Sequence, residues 1–301
     1  MEFRLQWKRK GVELTKSNRL TRWVLHSRMG TFAMVGIRIW RNVERWCKVV
    51  LIFAIIGHTV IIFSLPAFAV RPFFITEYAV PVERGGSRLE IGLTYKRLSP
   101  NHRTYQLLSE LTQGIINNLD FEIEVPYIVS SGVPSSDGIG DISLKSKLRF
   151  LKGREANPLS LSGQLLIKFP ACDEDKGLSE ECTGEADVGV LGIASKEFHP
   201  VIVHLNLGYI LIGNPGNQDF RDVFRYSLAF DYLTALESLR LIAEFAGETQ
   251  RDPNESADPV ALQFGALMGV GAGIAFDGSF GFGLTRASPD FFINSGLTYR
   301  F

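Results

Sequence analysis

Phe291-Phe292-Ile293-Asn294-Ser295-Gly296-Leu297-Thr298-Tyr299-Arg300-Phe301 decides how the chain is read. Phe291, Ile293, Leu297, Tyr299 and Phe301 share one parity. Asn294, Gly296, Thr298 and Arg300 share the other. Successive side chains of a strand point to opposite faces, so this stretch predicts a strand with one apolar face and one wet face. In a soluble sheet such an edge invites pairing with another chain. A closed barrel in a membrane removes the edge and gives the apolar face a solvent.

The pattern recurs upstream. Residues 88–97 set Leu89, Ile91, Leu93 and Tyr95 against Arg88, Glu90, Thr94 and Lys96. Residues 119–127 set Leu119, Phe121, Ile123 and Val125 against Asp120, Glu122 and Glu124. Residues 141–150 set Ile142, Leu144, Leu148 and Phe150 against Ser143, Lys145, Lys147 and Arg149. Segments 159–169, 201–211, 222–232 and 238–248 repeat it, and 103–111, 187–197, 263–276 and 279–286 show it more weakly. With the last strand the total is about 12, each near the length a tilted strand needs to cross a bilayer. The expected fold class is therefore all-β, an antiparallel transmembrane barrel with both ends periplasmic. Links 129–139, 170–186, 212–221 and 249–260 are rich in turn-forming residues and exceed every link on the other side, as outer loops should. A soluble sandwich or lipocalin-like barrel, apolar inside and charged outside, is the rival. Alternation does not separate the two; aromatics at strand ends (Tyr95, Tyr127, Phe150, Tyr232) favour interfacial girdles.

Formal net charge is zero, but residues 1–69 carry 12 Lys+Arg against 3 Asp+Glu, leaving 20 against 29 in residues 70–301. The acidic body excludes nucleic acid as a partner, because phosphate contacts need Lys and Arg. In the basic head, Arg38, Arg41, Arg45 and Lys48 precede an apolar run over 49–63, followed by Ser64-Leu65-Pro66-Ala67-Phe68-Ala69. This order predicts a secretory signal cleaved after Ala69. A membrane anchor is the alternative, but the run is short of the roughly 20 residues a spanning helix needs. The domains expected are 1–69, basic leader and signal, and 70–301, barrel. The long leader leaves Met1, Met29 and Met34 as candidate starts. Cys172 and Cys182 lie in one expected outer loop and form a disulfide candidate in an exported chain; a metal site lacks further His or Cys nearby.

The strand-opening Gly140-Asp141-Ile142-Ser143-Leu144-Lys145, the run Ala243-Glu244-Phe245-Ala246-Gly247-Glu248, and Ser288-Pro289-Asp290 leading into Gly296-Leu297-Thr298-Tyr299-Arg300-Phe301 carry a resemblance. Over residues 85–301 the chain resembles bacterial outer-membrane proteins of the phenol-degradation meta-pathway (MetA) group. The resemblance implies a barrel that passes small, aromatic or hydrophobic solutes, and it transfers no catalytic motif.

If the apolar parity meets outer-membrane lipid, Asp120, Glu122, Glu124, Lys145, Lys147, Arg149, His204, Arg225, Asp231, Arg240 and Glu244 line the lumen. Facing acidic and basic rows pair across strands. They form either a charged constriction for a small-molecule solute or a network that plugs a narrow bore. His204 on the inward parity cannot reach a lipid ester, which disfavours a barrel lipid hydrolase; no enzyme activity and no cofactor is expected. Tyr299 and Phe301 are the expected signal to the barrel assembly machinery. The glycines over 265–283 match no phosphate-binding loop and imply strand curvature covered by aromatics.

Overall fold

Alternating parity resolves into thirteen strands in the computed structural model, which describes residues 75–131, 136–172, 184–214 and 219–301. All belong to the second of the chain's two units, Ile61–Phe301. The expected leader, its cleavage point and Cys182 lie outside the described residues. The strands are β1 (Ser87–Ser99), β2 (His102–Ile116), β3 (Leu119–Ser131), β4 (Ser136–Ile139), β5 (Ile142–Leu151), β6 (Leu159–Phe169) and β7 (Asp187–Phe198). There follow β8 (Val201–Leu211), β9 (Val223–Leu233), β10 (Leu239–Glu248), β11 (Val260–Gly271), β12 (Ile274–Gly283) and β13 (Phe291–Arg300).

Twelve of these strands form a closed antiparallel ring. β1 pairs with both β2 and β13, and the β2–β3 ladder completes the circuit. The thirteenth, β4, continues the line of β5 along β3, offset across Gly140 and Asp141. At the closing seam Ser87 N–H donates to the Phe301 carbonyl at 2.8 Å, and Phe301 N–H donates to the Ser87 carbonyl at 3.0 Å. Short turns occupy this end of the barrel. The opposite end carries residues 170–172, 184–186, 212–214, 219–222, 249–259 and 284–290.

Burial settles which face is inside. Glu122, Lys147, Asp231 and Glu244 are 5%, 2%, 0% and 1% exposed, whereas Phe121, Phe264, Phe276 and Phe280 on the other parity are about half exposed. A soluble protein would not leave a continuous apolar wall in water while sealing charges inside. The rival sandwich is therefore excluded, and the wall faces lipid.

One turn differs from expectation. The expected break at Asp277-Gly278 is extended strand within β12, and the chain turns at Gly271-Ala272-Gly273, where φ is 92°, 51° and 77°. Two glycines supply the left-handed conformation cheaply, which Asp277-Gly278 is not asked to do. The shift points Asp277 into the bore. Across the β12–β13 ladder Phe292, fully buried, lies over its register partner Gly281, the cross-strand cover of a bare glycine by an aromatic ring.

Candidate functional site

The inner wall does not enclose an empty bore. Residues 75–82, just upstream of β1, cross it as an extended strap. A strap without a neighbouring strand must satisfy its backbone with side chains, and the inner wall provides them. Val82 N–H donates to Asp120 Oδ2 on β3 at 2.8 Å. Ala79 N–H donates to Ser195 Oγ on β7 at 3.1 Å, and Ser162 Oγ on β6 donates to the Ala79 carbonyl. Asn206 on β8 acts as a substitute backbone: its Oδ1 accepts Glu77 N–H at 2.6 Å and its Nδ2 donates to the Glu77 carbonyl at 3.1 Å. Glu244 Oε1 on β10 accepts Ile75 N–H at 3.0 Å and Thr76 N–H at 2.9 Å, and the Thr76 hydroxyl lies 2.7 Å from both Glu244 Oε1 and Ser227 Oγ on β9.

Two strap side chains anchor it. Tyr78 packs against Ala229 and Ile242, sits edge-on to His204 at 4.6 Å between centroids, and brings its hydroxyl 3.4 Å from Asp231 Oδ2. Glu77 enters the charged rows of β3 and β5. In those rows Asp120 faces Lys147 and Glu122 faces Lys145 in register. Lys145 Nζ is 3.0 Å from Glu122 and 2.6 Å from Glu124, while Lys147 Nζ is 2.9 Å from Glu77 Oε2. Arg88 joins from β1 at 2.6 Å from Glu90 and 3.6 Å from Glu122. Charges this deep persist because each has a partner; removed from water alone, each would cost several kcal/mol, on the order of the penalty for an isolated buried ion.

The remaining predicted residues separate by height. Arg240 and Asp231 form a buried pair joining β10 to β9, with Nε donating to Oδ1 at 2.8 Å. Arg225 pairs with Glu248 at 2.9 Å near the loop end. Arg149, in register with Ser162 on β6, donates to the Asn117 carbonyl at the turn end. Cys172 Sγ lies 3.1 Å from Asp141 Oδ1. Glu110, Glu122 and Glu124 bring carboxylate oxygens within 4.8 Å of one another, a spacing suited to a cation. Lys145 already supplies one to Glu122 and Glu124.

His204 has a serine partner, Ser195 Oγ, 2.8 Å from Nδ1. The same oxygen accepts the strap's Ala79 amide, so the pair helps to hold the strap. Ser195, Ser162 and Ser227 all fall on the inward parity of their strands; that parity was the signal available for them. Glu77 had none, because it precedes the first spanning strand.

A family model described as "Putative MetA-pathway of phenol degradation" matches residues 79–301. Among solved structures, the COG4313 outer membrane channel from Pseudomonas putida F1 is similar with a TM-score of 0.62 at 14% identity, over 74% of this chain and 98% of that one. The NanC porin is similar with a TM-score of 0.53 at 10% identity, over 70% and 98%. No sequence among curated proteins matches. Identities this low establish the shared fold.

Proposed function

The chain belongs to the family described as "Putative MetA-pathway of phenol degradation", and from that membership we propose that it is a bacterial outer-membrane conduit for a small, aromatic or hydrophobic solute. Passage is passive and non-enzymatic. The observation that carries the reading is the bore itself: a polar inner wall inside a lipid-facing barrel, crossed by one strap held through hydrogen bonds and an ion-pair cluster. Such attachments exchange with water at small net cost, about 1 kcal/mol per hydrogen bond, so the strap can shift without unfolding the wall. The similar channel and porin folds support the same reading, as does the family's association with phenol degradation.

The strap also favours a second reading, a structural or partner-docking barrel whose bore stays plugged. Planar-bilayer conductance and solute-driven liposome swelling, with phenol as the probe, separate the two. The conduit reading expects measurable conductance that rises when residues 75–82 are removed. Absence of both conductance and phenol uptake in the strap-deleted chain would leave only the plugged barrel.

A further inference from the structure

The strap's described bonds fall on β3 and β5–β10. On the other side of the bore, Gly92 of β1 and Gly296 of β13 face each other in register on the inward parity. Neither puts a side chain into the lumen, and a cavity of about 100 Å³ lies there, bordered by β1, β2, β12 and β13. Its lining holds three carboxylates, Glu90, Glu110 and Asp277, and no Lys, Arg or His.

These carboxylates are not equivalent. Glu90 has Arg88 Nε at 2.6 Å and accepts a hydrogen bond from Thr298, so much of its charge is offset. Asp277 lies directly over Gly296, its register partner, where a Cβ would collide with the carboxylate. Among the described residues it takes part in none of the hydrogen bonds and ion pairs that knit the inner wall. No cation in the lining offsets the charge this carboxylate carries when ionised, and low-dielectric walls focus its field along a narrow passage. Acidic linings favour cations over anions.

We propose that this cavity is the part of the bore that remains passable while the strap is in place, and that Asp277 sets its preference for cations and neutral solutes over anions. The inference rests on the conduit reading and deepens it: a neutral phenol passes, whereas a carboxylate-bearing aromatic is disfavoured.

The test is the reversal potential of the full-length barrel across a KCl gradient in planar bilayers, in alkaline buffer. The wild type should prefer K⁺. Asp277→Asn should lower the K⁺/Cl⁻ permeability ratio roughly tenfold, because one charge about 6 Å from an ion in water favours K⁺ and disfavours Cl⁻ by about threefold each. Gly92→Leu gives an independent readout. The nearest atom to a Cβ at Gly92 is Leu108 Cβ at 4.0 Å, so a side chain can start there without a clash and should reduce conductance by narrowing the passage. An anion-preferring or unselective wild type, an unchanged ratio in Asp277→Asn, or unchanged conductance in Gly92→Leu would overturn the proposal and leave the conduit standing. Conductance seen only after deletion of residues 75–82 would do the same. No conductance in either the intact or the strap-deleted protein would overturn both.

Discussion

Lys147 Nζ on β5 lies 2.9 Å from Glu77 Oε2, a strap residue 70 positions earlier in the chain, with the lysine side chain 3% exposed and the glutamate 14%. This pair ties the strap to the charged rows of β3 and β5. Glu77→Gln keeps the oxygen and removes the charge. The strap should lose about 2 kcal/mol of attachment, the worth of a hydrogen bond to a charged group. Open probability in single-channel recordings should rise. Gating indistinguishable from wild type would show that the strap is held elsewhere.

Asn206 makes a complementary prediction, because it satisfies both backbone groups of Glu77. Asn206→Leu has similar volume but leaves an N–H and a carbonyl without partners, at about 1–3 kcal/mol each. Hydrogen exchange should accelerate at the Glu77 amide while the β8 ladder amides stay protected. Equal protection of Glu77 in both proteins would mean that Asn206 does not hold the strap.

Why the wall could be read from sequence and the strap could not follows from periodicity. A spanning strand must put every second side chain into lipid, so Leu119, Phe121 and Ile123 announce their phase and fix Asp120 and Glu122 on the other face. Register then brings Lys145 and Lys147 opposite them without further information. The strap has neither constraint. Its backbone bonds run to the side chains of Asp120, Ser195, Asn206 and Glu244, which are distant in sequence and individually ordinary. Asp277 was missed for a different reason. Asp-Gly is a favoured hairpin pair, but the chain turns at the glycines flanking Ala272 instead.

Asp231 and Arg240 offer a test of the inner wall where it meets the strap's Tyr78. Asp231 is fully buried and Arg240 is 8% exposed, so neither can turn to water when its partner is lost. Asp231→Ala leaves a buried guanidinium without its partner and should cost about 3–5 kcal/mol in urea unfolding from lipid vesicles. Adding Arg240→Leu should recover part of the loss, because the stranded charge is then gone. A double variant as unstable as the sum of the two single variants would show that the residues are not energetically coupled.

Two inward glycines give opposite predictions for one substitution. At Gly281 the Cβ position is filled by the ring of Phe292, which is fully buried among its neighbours and has nowhere to move. Gly281→Ala should therefore overpack the wall and cost about 1–3 kcal/mol. At Gly92 the nearest atom is 4.0 Å from the Cβ position, an ordinary contact. Gly92→Ala there relieves the entropy cost of glycine in a strand and should be neutral or stabilising by about 0.5 kcal/mol. Unfolding midpoints of the two variants should thus move in different directions. A matching loss at both sites would mean that the inner wall beside β1 is closed, and that the cavity between Gly92 and Gly296 does not survive in the membrane.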